Sequence, residues 1–419
     1  MAVIEKKHLS SPSISQPVFQ KLSFSEKCGY LKTAAAKEKM DLILADPDAR
    51  RLTAALEPQE FFWMVKEIGE TDALDLLRLA STDQCHFILD MELWEGWTFS
   101  EERACHWLAY FMEGGEQRIH ELLKSVDYEF LQLFLSRELI VAGGIGDQGN
   151  DDEHLRDYDH SFDGTFMLKF RNPKHSQLIG SFISLMMRLD HSLYVALMEG
   201  VKGDVDLELE EECLRFRSGR LEDLGFPPLD EALSIYARLN PDSFELHGDK
   251  KLSPAGEGGT LMPMVVHDDS LFIRALAIAD SPLIVQELNY LVNSALVAEG
   301  DAFREPESMV AVFERVCGYL NIALEKLAAG DEQKAAELLG AERLKRLFQL
   351  GYSMVMELKF AAQDAQSLDY AGGKLLAGLK AKRPRYYRGL DPDGIDGYRQ
   401  FKETADIQRV AELLKQLKG

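Results

Sequence analysis

The chain has 419 residues, of which 46% are hydrophobic and 28% charged, and its formal net charge is −23. This length exceeds what one ordinary hydrophobic core holds, so it indicates two or three domains or one elongated superhelix. The composition is that of a folded protein, which excludes a disordered chain. A body this acidic repels phosphate backbones, so the charge argues against a nucleic-acid partner.

The five cysteines are scattered, odd in number and never spaced as CxxC. This usage is typical of reduced thiols in a cytosol and argues against a disulfide framework. No uninterrupted apolar run reaches the roughly 18 residues that a membrane-spanning helix needs. The N-terminus also lacks the apolar segment of a signal peptide. We therefore expect a cytoplasmic protein without a membrane span.

A twelve-residue pattern starts at Leu44 and runs through LADPDARRLTAA, LEPQEFFWMVKE, IGETDALDLLRL and ASTDQCHFILDM. Positions six, nine and ten of each block are mainly apolar, and their spacing places them on one face of a helix. Pro58 at a first helical position, Gly69 after a helix, and a capping box of Ser81 and Gln84 mark helix ends. The pattern predicts short stacked helices that form an armadillo-like superhelix.

The predicted fold is mainly α, with the superhelix followed by a helical bundle and at most a small β element near 165–170. Two irregular stretches, one acidic and one rich in Gly and Pro, divide the helical regions. The predicted segments are a flexible N-terminal tail (1–35), the superhelix (36–141), an acidic loop with a short strand (142–175), a helical segment (176–240), a Gly/Pro-rich linker (241–267), a helical bundle (268–365) and a basic C-terminal tail with a final helix (366–419).

Two adjacent Cys-His pairs, Cys85-His86 and Cys105-His106, raise the question of a zinc site. Neighbouring residues on a helix point about 100° apart, whereas zinc sites space their ligands as CxxC or HxxxH so that the side chains meet. Cys85 also falls in an apolar column of the twelve-residue pattern, where a free cysteine behaves as a small buried hydrophobe. We therefore interpret both pairs as helices that each carry a Cys beside a His.

The acidic stretch 147–163 is the densest group of hard oxygen donors in the chain. It predicts a divalent-cation site whose candidate ligands are Asp159, Asp163, His154, Asp157 and His160. The order D-x-S-x-D-G from Asp159 matches the first half of a calcium loop, but Phe170 stands where the loop needs its bidentate Glu. An acidic surface loop without any ion is the alternative, and the sequence otherwise predicts no cofactor.

Signatures of common enzyme classes are missing, since the chain has no Walker loop and no GxGxxG, GxSxG or HExxH motif. Their absence favours a role other than catalysis. The stretch KAKRPRYYR (380–388) mixes basic and aromatic residues as nucleic-acid contacts do. Because the body of the chain is strongly acidic, we expect this stretch to pack within the protein or against an acidic partner.

The chain resembles a family of bacterial proteins catalogued as a domain of unknown function, over roughly residues 35–410. Four stretches carry the resemblance: ALEPQEFFWMVKEIGETDALDLLRLASTDQCHFILDMELW, SFDGTFMLKF, GRLEDLGFPPLDEALSIYARL and LFQLGYSMVMEL. It implies no activity and no catalytic residues. Residues 44–92 also resemble the N-terminal superhelix of MgtE-type magnesium transporters and the armadillo-like parts of a flagellar motor-switch protein. In those families such helices serve regulation and protein contact.

Two functional hypotheses follow from these patterns. The first is a cytosolic helical scaffold for protein interaction or regulation, whose N-terminal groove binds a protein partner through Phe62, Trp63, Trp94 and Trp97. The second is a divalent-metal-dependent enzyme or metal sensor that uses the loop 147–163. The helical pattern and the missing catalytic motifs favour the first.

Overall fold

The structure is a computed structural model, and it describes residues 14–144, 158, 160–202, 207–248, 250, 269–300, 305–367 and 369–418. Across these residues the fold is mainly helical, as predicted, and it includes three two-stranded antiparallel sheets. The chain divides into two compact units at Leu221 and Glu222. None of the described helices combines the length and the apolar character needed to cross a bilayer.

The N-terminal unit begins with short helices. In chain order they are α1 (Gln16–Phe19), α2 (Phe24–Leu31), α3 (Ala36–Leu44), α4 (Ala49–Ala54), α5 (Pro58–Ile68), α6 (Leu74–Leu77) and α7 (Thr82–Glu92). The remaining elements are β1 (Trp94–Glu95), β2 (Thr98–Phe99), α8 (Glu101–Glu113), α9 (Glu116–Ser125), α10 (Tyr128–Glu138), β3 (Leu139–Gly143), β4 (Phe166–Phe170), α11 (Ser176–Leu189), α12 (His191–Val201) and α13 (Leu207–Asp223).

Local sequence patterns set several helix ends in this unit. The backbone N–H of Gln84 donates to Ser81 Oγ, and the N–H of Ser81 donates to Gln84 Oε1 at 2.8 Å, which forms the predicted capping box of α7. Pro58 lies in the first turn of α5, and Gly69, with φ of 99°, ends that helix. These three predicted helix ends are confirmed.

The ninth position of the twelve-residue pattern lies in the hydrophobic core. Its four residues, Leu52, Met64, Leu76 and Ile88, are all buried. Upstream of the pattern, the structure differs from the predicted flexible tail (1–35), because α1 and α2 lie within it. The side chain of Phe19 is fully buried, and this removal of apolar surface from water stabilises the folded structure of the segment.

Strands β3 and β4 pair antiparallel, with Leu139 opposite Phe170 and Gly143 opposite Phe166. The strand predicted near 165–170 is confirmed as β4, but its partner β3 crosses the boundary between the predicted superhelix (36–141) and the predicted acidic loop (142–175). Beyond the last pair, the N–H of Arg171 donates to the carbonyl oxygen of Glu138 at 2.8 Å. The pairing therefore holds the end of α10 beside the segment that leads into α11.

The C-terminal unit consists mainly of longer helices. Its elements are α14 (Leu229–Leu233), 3-10 turns at 234–236 and 241–243, α15 (Leu271–Ala279), α16 (Pro282–Glu299), α17 (Pro306–Ala328), α18 (Glu332–Ala341), α19 (Leu344–Ala361), α20 (Tyr370–Lys380), β5 (Tyr386–Tyr387), β6 (Tyr398–Arg399) and α21 (Thr404–Lys418). Helices α17 and α19 approach closely at Gly351, where a Cβ atom would overlap the carbonyl oxygen of Tyr319.

The segment predicted as a basic C-terminal tail packs into this unit instead. Phe401 and Val410 are fully buried. In the basic-aromatic stretch 380–388, the guanidinium of Arg383 lies 3.5 Å from the ring centroid of Tyr236, and that of Arg385 lies 4.7 Å from the ring of Tyr398. Cation–π contacts of this kind hold the stretch against its own unit, as its sequence context predicted.

Candidate metal centre

Three side chains that can bind metal, Cys105, Glu138 and His175, converge in the N-terminal unit. Cys105 lies on α8, Glu138 is the last residue of α10, and His175 is the N-cap of α11. One donor atom from each lies within 4.8 Å of the other two. Cys105 and Glu138 are buried and His175 is half-buried, so three separate elements place three donors around one point.

The carboxylate of Glu138 lies between the thiol and the imidazole. Cys105 Sγ is 3.5 Å from Glu138 Oε1, and His175 Nδ1 is 2.9 Å from Oε1 and 3.1 Å from Oε2. The side chain of Glu138 is only 2% exposed. A buried carboxylate of this kind needs a positive partner, which a protonated imidazole or a metal ion can provide.

The electrostatics of the cluster argue against nucleophilic catalysis. Burial raises the pKa of the Cys105 thiol, and the neighbouring charge of Glu138 raises it further. Nucleophilic cysteines need the opposite, a lowered pKa, and they contact a base that takes their proton. Here the thiol contacts the Glu138 carboxylate, whose charge opposes thiolate formation, so the arrangement is unlike that of an activated cysteine.

Two features of the chain build this arrangement. The β3–β4 pairing fixes the position of Glu138, and Arg171 reinforces it because Nε donates to the carbonyl oxygens of Ser136 at 3.1 Å and Leu139 at 3.0 Å. A turn then leads into α11. In this turn, the N–H of His175 donates to the carbonyl oxygen of Asn172. The strand pairing and the turn together bring the imidazole back over the end of α10.

The donor types define the metals that suit the site. A thiolate, an imidazole and a carboxylate are all common ligands of Zn²⁺, whose usual number of ligands is four. The thiolate disfavours Mg²⁺ and Ca²⁺, which prefer oxygen ligands, and the mixture also fits other divalent transition metals. The cluster therefore suits a transition metal better than the hard cations expected at the loop 147–163.

The two adjacent Cys-His pairs have diverging side chains. Cys85 is buried in the core, where burial raises its pKa to about 11, while His86 Nε2 lies 3.2 Å from Ser125 Oγ. His106 Nε2 contacts Glu70 Oε2 at 2.8 Å, on the outer side of α8 from Cys105. Cys105 thus contacts Glu138, which is distant in sequence, rather than His106. No local sequence motif predicts this contact.

The predicted loop site is described in part. His154, Asp157 and Asp159 lie outside the described residues. Asp163 Oδ1 accepts hydrogen bonds from the backbone N–H groups of Thr165 at 2.8 Å and Phe166 at 3.1 Å, so it caps the turn into β4. The backbone of His160 pairs with Leu168, and its ring centroid is 4.4 Å from that of Phe162. A metal role for this loop stays a prediction.

The aromatic residues predicted to contact a partner occupy two different environments. Phe62, Trp63 and Trp94 are buried, so their rings are core side chains and not surface contacts in this structure. Trp97 is 56% exposed and lies in the two-residue turn between β1 and β2, beside Gly96 with φ of 64°. Partner binding through Trp97 stays a prediction, while the other three side chains have a structural use.

An open groove of about 940 Å³ runs along one face of α11. Its walls include Met112 of α8 and the aromatic rings of Phe162 and Phe170, and Pro173 and Ser176 line one end. Those last two residues flank His175 in the chain. Cys105, Glu138 and His175 themselves are not among the described residues that line the groove.

No curated protein matches this chain. No solved structure matches it either. The sequence model of a family of unknown function, DUF6178, matches residues 16–419. Since the match extends over nearly the whole chain, the protein belongs to this family.

Proposed function

We propose that this protein is a metal-responsive helical protein, in which Cys105, Glu138 and His175 bind a divalent transition metal, Zn²⁺ first among them. The convergence of a thiol, a carboxylate and an imidazole within 4.8 Å carries the proposal. It retains the metal-sensor hypothesis drawn from the sequence but moves the site away from the loop 147–163.

A bound ion changes the energetics of three elements at once. Metal binding takes a thiolate and a neutral imidazole as ligands, so it displaces the thiol proton and gives Glu138 a positive partner. Because the ligands belong to α8, α10 and the start of α11, the ion cross-links these helices. Metal occupancy then stabilises these three elements, so the stability of this part of the unit depends on the metal concentration.

The test is a comparison of metal binding and thermal unfolding for the metal-stripped protein and its variants. We expect Zn²⁺ to raise the melting temperature of the wild type with one ion bound per chain by native mass spectrometry. The variants Cys105→Ser and His175→Gln lose this shift. Cys213→Ser is the matched control, because Cys213 is another buried thiol of the unit, with its pKa raised by burial to about 12.

Two results would count against the proposal. One is a wild-type protein that binds no transition metal. The other is an equal Zn²⁺ shift in wild type and in the Cys105→Ser, His175→Gln double variant. A shift that disappears instead in Asp163→Asn, or that appears with Mg²⁺ or Ca²⁺ alone, would place the ion at the acidic loop.

Protein interaction is the second candidate function, and the exposure of Trp97 favours it. Solvent-exposed tryptophans at the tips of tight turns are candidates for interface hot spots, because a large ring is desolvated on binding. Capture of a protein from cells that produce this chain should fall in Trp97→Ala. It should persist in Ile395→Ala, which alters another exposed apolar side chain.

The cytoplasm is the compartment that we propose for both functions. The five cysteines form no disulfide with one another, and four of them are buried. Free thiols persist in the reducing cytosol and are at risk of oxidation elsewhere. Redox-sensitive fluorescent fusion or fractionation of source cells tests this location.

A further inference from the structure

The C-terminal unit contains a polar cavity of about 570 Å³. Three helix ends line it, namely the N-cap of α15 at Ser270, the C-cap of α17 at Ala329 and the first residue of α21, Thr404. Its size lies within the range of small-molecule pockets, and most of its lining side chains are polar or charged. None of the three proposed metal ligands belongs to this unit. The cavity is therefore a separate candidate site, and its lining suits a small polar ligand.

A buried amide, that of Asn321, holds three parts of the cavity lining together. The residue is only 2% exposed. Its Oδ1 accepts a hydrogen bond from the N–H of Phe272 at 3.0 Å, and its Nδ2 donates to Glu325 Oε1 at 2.7 Å and to the carbonyl oxygen of Lys402 at 2.8 Å. These bonds join α15, α17 and the segment that precedes α21. The lining is thus organised before a ligand binds, which reduces the entropy that binding costs.

The carboxylates of Glu325 and Glu403 favour a cation in the cavity. Besides Asn321, Glu325 accepts hydrogen bonds from the backbone N–H and the hydroxyl of Thr404, both at 2.7 Å, and these donors are all neutral. Among the residues that the structure describes, no Lys, Arg or His forms an ion pair with Glu325 within 4.0 Å. The pKa of Glu403 is raised by partial burial and then by the charges of Asp406 and Glu325, since like charges repel. An ammonium group at this point stabilises both carboxylates.

Lys402 favours an anion in the same cavity. It lines the cavity beside Glu403, and within the described parts of the chain its ammonium group forms no ion pair. The two other basic side chains of the lining already have partners, because Arg274 pairs with Glu332 at 2.7 Å and Arg399 pairs with two aspartates. Lys402 is therefore the basic group of the lining that is available to a ligand carboxylate.

The backbone adds partial charges of both signs. Helix α17 has 23 residues and ends at the cavity, so its last carbonyl groups contribute partial negative charge. Helices α15 and α21 begin at the cavity and contribute partial positive charge. Side chains and helix ends thus give the cavity both signs of charge.

We propose that this cavity binds a small zwitterion of the α-amino acid class. The ammonium group of the ligand binds Glu325 and Glu403, and its carboxylate binds Lys402. A simple cation would leave Lys402 without a partner, and a simple anion would leave the two carboxylates without one, whereas a zwitterion satisfies all three. The polar lining suits a short polar side chain. This site is independent of the proposed metal centre.

Three related probes separate the two charged ends of such a ligand. Serine carries both charges, ethanolamine lacks the carboxylate, and 3-hydroxypropionate lacks the ammonium group. Each is titrated into the full-length protein in a calorimeter. We expect saturable binding of serine with a dissociation constant about tenfold lower than that of either probe with a single charge, because each lost charged contact costs about 1.4 kcal/mol.

Two variants locate the two ends. Lys402→Met should weaken serine and 3-hydroxypropionate about tenfold and leave ethanolamine within about twofold, and Glu403→Gln should weaken serine and ethanolamine but spare 3-hydroxypropionate. The probe that each variant still binds shows that its cavity is folded. Lys415→Met and Glu412→Gln are the matched controls and should alter no probe, since both residues are exposed on α21 and outside the cavity lining.

Three results would overturn the inference. If none of the probes binds, the cavity takes no ligand of this class. If ethanolamine or 3-hydroxypropionate binds as tightly as serine, the site recognises a simple cation or anion and not a zwitterion. If serine binds equally to the wild type, Lys402→Met and Glu403→Gln, its site lies elsewhere. None of these results bears on metal binding, which the variants of Cys105 and His175 test separately.

Discussion

Two small sheets of this protein each precede a helix, and each junction contains one buried carboxylate, Asp406 in the first and Glu138 in the second. At the end of β6, Arg399 pairs with the half-buried Asp391 at 2.8 Å and with Asp406 at 2.7 Å, at the start of α21. After β4, Glu138 meets Cys105 and His175 at the start of α11. The first junction uses a guanidinium, whereas the second uses two groups that can lose protons.

This difference decides what each junction can do. A guanidinium stays charged at every physiological pH, so Arg399 is a permanent counter-ion, and its hydrogen bonds hold the pKa of Asp391 below its usual value. A thiol and an imidazole exchange protons for metal ions. A carboxylate that faces a guanidinium is therefore structural, whereas the proposed metal site uses one that faces groups able to lose protons.

Removal of the permanent counter-ion should produce the largest effect. In Arg399→Met, the fully buried Asp406 loses its ion pair, and we expect the free energy of unfolding to fall by about 3 to 5 kcal/mol in urea titrations at pH 7. A loss below about 1 kcal/mol would show that the junction does not depend on its guanidinium.

The stability difference between wild type and Arg399→Met should decrease as the pH falls. The lowered pKa of Asp391 means that its contribution to stability is fully present above the unfolded-state value of about 3.9 and is lost as the pH falls through the folded-state value. Wild type and Arg399→Met should therefore approach each other in stability below about pH 4. Urea titrations from pH 7 to pH 3 measure this convergence.

Metal addition should act on the second junction alone. At about 100 times its dissociation constant, Zn²⁺ should raise the free energy of unfolding by about 2.7 kcal/mol, and a chelator should reverse the gain. The affinity should rise with pH, since the raised pKa of Cys105 means that binding displaces its proton. Calorimetry in two buffers of different ionisation enthalpy measures the released protons; no release would contradict thiolate ligation.

Without metal, the thiol should contribute little. Cys105 Sγ makes only a weak contact of 3.5 Å with Glu138, so Cys105→Ala in the metal-stripped protein should cost about 1 kcal/mol, mainly through lost packing. The same change should remove the whole Zn²⁺ stabilisation. If the metal-free cost reached several kcal/mol, the thiol would be a structural residue like Arg399.

The smallest effect should come from Arg388, which lies between β5 and β6 and pairs at the surface. Arg388 contacts Asp393 at 3.0 Å, and both side chains are exposed. Arg388→Gln should change the free energy of unfolding by less than about 0.5 kcal/mol, because solvent screens such pairs. Urea titrations of Arg388→Gln and Arg399→Met compare the two losses in the free energy of unfolding. Equal losses would mean that burial of the ion pair does not determine its contribution.

Sequence patterns predicted those parts of the fold that local chemistry determines. A few neighbouring residues determine each of these features: the capping box at Ser81, the proline at the start of α5, the glycine at its end and the strand β4. Strand β3 was missed because its residues continue the apolar pattern of α10. Whether an apolar run ends as helix or strand depends on its partner, here β4.

The aromatic residues and the metal centre required tertiary information. Helix α5 buries seven consecutive residues, from Gln59 to Val65, so its rings point into core on more than one side and the expected surface groove is covered. Cys105 and His175 lie 33 and 37 residues from Glu138. Packing of α8 against α10 brings Cys105 to Glu138, and the β3–β4 pairing brings His175 there, so no spacing rule within the sequence encodes these contacts.

The exposure of Trp97 makes the protein its own optical reporter. The chain has four tryptophans, and the other three, Trp63, Trp94 and Trp107, are buried. Acrylamide quenching and long-wavelength emission should therefore come almost entirely from one indole in the β1–β2 turn. Burial of that ring by any binding partner would shift the emission to shorter wavelengths without a label, while the three core indoles provide an internal standard for intact folding.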